Sequence, residues 1–174
     1  TGIPVLFMRG GTSSGPYWNI DNLPKDVEAR DRVILAAQGT TDFSTGFDEP
    51  VIDPHQLGGL GKATSVTSKT AMLSKSDHPE AQVDYLFAQV DQTRAFVDTK
   101  PNCGNILSAV GYAALEMGMV EIQDGTTSVM IHNVNTGALI EQIVQTPNKQ
   151  LKYTGDAQID GVAGAAAPVL MNFM

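Results

Sequence analysis

The sequence predicts an α+β domain in which a sheet wraps about one central helix, residues 104–118. Three observations predict it. Short β-rich runs recur along the chain, a single strongly apolar helix lies in its middle, and 17 glycines supply turns between them. At 174 residues the chain is long enough for one domain with a buried core.

The first element, "IPVLFM" at 3–8, is a β-rich run that ends in "RGGTSSG", so a strand enters a glycine-rich turn. Residues 22–39 begin with Pro24 and early acids, carry apolar Val27, Val33, Ile34 and Leu35, and close on Gly39, which predicts a helix. Residues 40–64, rich in Gly, Pro and Asp, read as loop. Residues 67–76, 83–91 and 94–99 alternate or run apolar as strands do. In "GNILSAVGYAALEMG", residues 104–118, an apolar stripe of Ile106, Leu107, Val110, Ala113, Ala114 and Met117 ends at Gly118. Glu116 is its one charge, so this helix is buried on most sides. Residues 128–135, 137–146, 151–159 and 167–174 read as further strands. The last run is apolar to its end, with no turn or polar tail, which predicts one domain of a longer protein.

Charge narrows the partners. Eleven Lys and Arg against 19 Asp and Glu give a net charge of −8, which argues against nucleic acid and against anionic membranes. A small anion stays open, because a local patch of amides can override the global field. The single cysteine forms no internal disulfide, no stretch is apolar and long enough to span a bilayer, and the start lacks the pattern of a signal peptide. The expectation is a cytoplasmic protein.

That cysteine, Cys103, stands in "NCGN" directly before the central helix. A helix N-terminus presents unpaired N–H groups that favour thiolate and carboxylate, so Cys103 can serve as a proton donor and acceptor. Gly104 permits close backbone approach and Asn105 can cap the helix or hold a ligand oxygen. A buried, inert cysteine is an equal alternative on local physics alone. No oriented histidine partner is evident: His55 and His78 fall in polar loops and His132 in a strand, all read as surface or structural groups. No HxxxH, HExxH or CxxC spacing supports a metal, and the Asp residues of 41–53 do not follow the calcium-loop order. Two other stretches are suggestive. "GGLGKATSVTSKTAML" (58–73) leads through hydroxyl residues into a strand carrying Lys69, without the Walker spacing. "MRGGTSSG" (8–15) is a strand and tight turn that either nests an anion or simply closes a hairpin.

In series, "MRGGTSSG", "GGLGKATSVTSK" and "NCGNILSAVG" resemble the PrpF-type isomerase family, which includes 2-methylaconitate cis–trans isomerases and 4-oxalomesaconate tautomerases. "DYLFAQV" (84–90) and "IDGVAGAAAPV" (159–169) extend the resemblance over nearly the whole chain. It implies the diaminopimelate epimerase-like fold, a mostly antiparallel sheet around a central helix, with residues 1–174 as the N-terminal catalytic domain and a C-terminal domain absent from this chain. It also implies cofactor-independent proton transfer on a small unsaturated di- or tricarboxylate.

Carried over by residue, the resemblance makes Lys69 and Cys103 the catalytic pair, with acid and base roles unassigned. Arg9, Gly10, Gly11, Thr12 and Ser13, with the amides of Gly104 and Asn105, become the carboxylate cradle, helped by Ser65, Thr67 and Ser68. Ser14 departs from the lysine usual in that motif, and Lys62 replaces a usual small residue. No metal and no cofactor are implied. A second reading keeps the fold but only binds a carboxylate, and an isolated domain with half its cleft open to water would be weakly active or inactive. The face left open would also let two copies pair as a homodimer.

Overall fold

The computed structural model describes residues 2–40, 59–61 and 64–174. Within them the fold is α+β, with one mixed sheet of eight strands. These are β1 (Leu6–Gly10), β2 (Ser13–Asn19), β3 (Lys69–Lys75), β4 (Val83–Val90), β5 (Val97–Asp98), β6 (Gly125–Asn133), β7 (Ala138–Thr146) and β8 (Leu170–Phe173). The order is β1-β2-β3-β4-β6-β7-β8, and β5 hangs on β4. β2–β3 and β4–β6 pair in parallel and every other neighbouring pair is antiparallel, so the sheet is mostly antiparallel. Three α-helices complete it among the described residues: α1 (Val27–Gln38), α2 (Gly104–Leu107) and α3 (Val110–Glu116).

Strand alternation gives the sheet two apolar faces. On one, Tyr17, Ala71, Leu73, Tyr85, Phe87, Ile131 and Ile140 pack against Ile106, Leu107, Val110 and Ala113. On the other, Trp18, Met72, Ala88 and Val90 meet Ile34 and Leu35 of α1. The sheet curls about the central helical segment: α2 touches β1 to β4, and α3 touches β3 and β7.

α1 forms for the reasons its sequence gives, over a shorter span than 22–39. Asp26 caps it by accepting from Ala29 N–H at 2.9 Å, and Gly39 closes it at φ 75°. Pro24 lies outside it, after a 3-10 turn at Ile20–Asn22. Three expectations are corrected. "SSGPYWN" is strand β2 and not part of a turn, despite Gly15 and Pro16. The central helix is not continuous over 104–118 but broken at Ser108 and Ala109, where Ala109 leaves the helical region at φ −101°, ψ 0°. Residues 151–159 form no strand, because their backbone bonds, Lys152 N–H to Gln145, Ala167 N–H to Tyr153 and the isolated bridge Ala157–Ala166, do not join into a ladder. Of the predicted loop 40–64, residues 41–58 and 62–63 lie outside the described residues, and with them His55, the Asp residues of 41–53 and Lys62. Among the described residues, no helix is long and apolar enough to cross a membrane.

A buried relay ties the parallel pair β2–β3. Trp18 Nε1 donates to Thr70 Oγ1 at 2.8 Å, and that hydroxyl donates to the Pro16 carbonyl at 3.1 Å. Thr70→Val keeps the shape but strands the indole N–H, which should cost about 1–3 kcal/mol. Urea unfolding measures this, and an unchanged midpoint and slope would contradict the relay.

Candidate active site

Lys69 opens β3 at the edge of the core face, half-buried, and Cys103 precedes α2 with 7% exposure. Lys69 Nζ lies 3.4 Å from Cys103 Sγ and 5.4 Å from the centre of the Phe87 ring. The ring face favours a cation there and keeps water from one side of it. Cys103 is itself the N-cap of α2: its sulfur accepts from Ile106 N–H at 3.5 Å. Two N–H donors therefore converge on one sulfur. At that distance Nζ and Sγ are in direct hydrogen-bond contact, with no side chain between them.

Both partners are braced from behind. The Lys69 carbonyl accepts from Gln38 Nε2 of α1 at 3.0 Å, and β2 passes so close that a Cβ on Gly15 would collide with it. Ser68 is fully buried, and its carbonyl accepts from Val90 N–H at 2.9 Å and Gln89 Nε2 at 2.8 Å. On the other side, Tyr85 donates to the Cys103 carbonyl at 3.2 Å and Tyr17 to the Ile106 carbonyl at 2.7 Å. Burial raises the pKa of both phenols, with Cys103 adding a smaller push, so they act as donors that keep their protons. Tyr17 and Tyr85 were not singled out in the sequence. Their signal was present: each is a tyrosine on an inward strand position, where its hydroxyl must find a partner.

The remaining candidates gather around this pair with different tasks. The β1–β2 turn closes over Asn105: Thr12 N–H donates to Asn105 Oδ1 at 3.3 Å, and a side chain on Gly10 or Gly11 would strike Asn105. Gly11 takes φ 53°, where glycine is favoured. Asn105 and Gly104 are exposed beside this turn, as are Thr12 and Arg9, whereas Ser13 and Ser14 are buried. The Thr67 and Ser68 hydroxyls both reach the Gly61 carbonyl, so they shape the loop that delivers Lys69, and Ser65 is exposed on that loop. Arg9 and Gly11 also line a cavity of about 490 Å³ roofed by residues 157–169, to which Lys69 and Cys103 do not contribute.

The two described histidines, His78 and His132, pair with each other. His132 Nδ1 lies 3.0 Å from Asp84, and His78 stacks on its ring, in a partly exposed network. Among the described residues, no group of three or more His, Cys, Asp or Glu is placed to hold a metal ion.

The fold and site together define an α+β domain that holds a lysine and a cysteine in direct contact. The chain belongs to the PrpF protein family, whose model matches residues 1–174. It is 45% identical to a 4-oxalomesaconate tautomerase of Pseudomonas putida over 99% of its own length and 45% of that protein's. It is 43% identical to a 3-methylitaconate isomerase of Eubacterium barkeri over 98% of this chain and 42% of that one. The crystal structure of a methylitaconate-delta-isomerase superposes with a TM-score of 0.86 at 43% identity, over 97% of this chain and 41% of the other. The chain thus spans less than half the length of these relatives.

Two outcomes follow from this geometry. Gly15→Ala should push the start of β3 outward, costing about 1–3 kcal/mol and moving Lys69; unchanged thermal unfolding would contradict the close approach. All four tyrosines are raised above the ordinary 10, chiefly by burial. Because the folded values are the higher ones, this stabilisation is complete below pH 10 and fades as pH rises beyond it. Buried Tyr17 and Tyr85 should add no phenolate absorbance through pH 10 while the chain is folded; a full four-tyrosine titration near 10 in the folded state would refute it.

Proposed function

We propose that this chain is the N-terminal catalytic domain of an isomerase that shifts a proton and a double bond in a small unsaturated di- or tricarboxylate. The substrate is of the 4-oxalomesaconate or 2-methylaconitate kind, and the chemistry needs no cofactor. The observation that carries this reading is the 3.4 Å contact between Lys69 Nζ and Cys103 Sγ. The names of relatives matched over nearly all of this chain support it.

One member of the pair takes a proton from a carbon next to an activating group, breaking that C–H bond. Its electrons form the new double bond, the old double bond's electrons move to a further carbon, and that carbon gains a proton from the pair. Atoms and charge balance: one hydrogen and the double bond have changed places along the chain of carbons. Lys69 is assigned the shuttle, because its stem leaves Nζ free to swing between sulfur and substrate; Cys103 supplies or positions the proton. Arg9 and the exposed backbone at Gly104 and Asn105 receive the carboxylates.

The wider architecture belongs to this proposal too. The fold is of the diaminopimelate epimerase type, and a second domain completes the cleft. Exposed Ile159, Leu170 and Phe173, with the cavity beside Arg9, support a face that further chain covers.

Replacing Lys69 by alanine in the full-length protein tests the reading. Turnover followed by ultraviolet absorbance of the conjugated acid should fall by about 10²–10⁴-fold, the usual worth of general acid–base catalysis. Undiminished turnover would sink the role given to Lys69.

A further inference from the structure

The break in the central helix has a specific occupant. In an uninterrupted helix the Gly111 N–H would donate to the Leu107 carbonyl four residues back. Here the Gln142 side chain stands between them: its Oε1 accepts from Gly111 N–H at 2.7 Å, and its Nε2 donates to the Leu107 carbonyl at 2.6 Å. Gln142 lies mid-way along β7 between inward Ile140 and Val144, and it is fully buried. A Cβ on Gly111 would come within 2.6 Å of Oε1, so the glycine leaves the space the amide fills. An amide suits this gap because it offers one acceptor and one donor side by side.

We propose that Gln142 is a positioning residue for the Lys69–Cys103 pair, wedged into the helix so that the turn carrying Cys103 is aimed separately from α3. The geometry gives the reason. α3 packs across β3 and β7, whereas α2 leans on β1 to β4, where Tyr17 and Tyr85 hold its carbonyls. A continuous helix has one axis and cannot follow both directions. If the Leu107–Gly111 bond closed directly, the Cys103 turn would swing into line with α3 and Sγ would move off Nζ. Gln142 touches neither of the pair; it acts through the helix.

The proposal rests on the isomerase reading only for its effect on turnover, so a second readout is measured beside it. In the full-length protein, Gln142→Leu lets the helix close. We expect kcat to fall about a hundredfold, the scale of an ångström's misplacement, with KM changed less than about threefold. The iodoacetamide rate at Cys103, followed by peptide mass, should shift toward that of Lys69→Ala. Gln142→Glu can accept and donate as the amide does only when its carboxyl is protonated, which burial favours, so it should restore both readouts as pH falls. Gly111→Ala, which drives the amide out from the opposite side, should reproduce the leucine variant if the latter fails to fold. A leucine variant with unchanged alkylation and kcat would overturn the proposal, as would glutamate and leucine variants that fall equally at every pH. Intact turnover in Lys69→Ala would count against the isomerase reading alone, since alkylation still reports on Gln142.

Discussion

Two phenol hydroxyls tie the turn after Cys103 to the sheet, and the arrangement of the site depends on that tie. Tyr17 reaches the Ile106 carbonyl from β2 and Tyr85 the Cys103 carbonyl from β4. Because the strand between them is β3, the turn is anchored over the strand whose first residue is Lys69. A lysine stem is long and costs entropy to hold, so a fixed sulfur beside it is worth little unless the backbone at both ends is pinned. Gln38 and the close passage of Gly15 pin the lysine end; the two tyrosines pin the cysteine end.

The core is arranged around the same constraint. A single sheet face must support a helical segment that starts over β1–β4 and finishes over β7. The chain meets this with a broken helix and satisfies the freed backbone groups with a buried amide, instead of leaving them unpaired. The opposite face carries α1 and no residue of the pair, so it stiffens β3 from behind through Trp18, Thr70 and Met72.

Much of this was legible in the sequence, for reasons that particular residues explain. Most strands declared themselves by alternation, and α1 by its early acids, its apolar spacing and Gly39. β2 did not, because Ser13, Ser14 and Gly15 read as part of the glycine-rich turn; Gly15 is needed where the strand passes close to the Lys69 carbonyl, and Pro16 lends its own carbonyl to Thr70. Residues 151–159 alternate without a partner strand, and alternation alone cannot make a ladder. The helix break was invisible because its cause, Gln142, lies 31 residues beyond Gly111. Its one trace was a polar residue at an inward position between Ile140 and Val144. For the site, local physics left Cys103 evenly balanced, and the series of motifs paired it with Lys69. That sulfur rather than Asn105 caps the helix, and that Asn105 instead plugs the β1–β2 turn, needed the folded chain to be seen.

The central claim is that Lys69 and Cys103 act as one proton-handling unit. A double-mutant cycle on kcat/KM in the full-length protein tests it most directly, with Lys69→Ala, Cys103→Ala and both together. If the pair acts as a unit, the second substitution should cost little once the first is made, and the double variant should match the worse single one. Losses that add as independent free energies would contradict it.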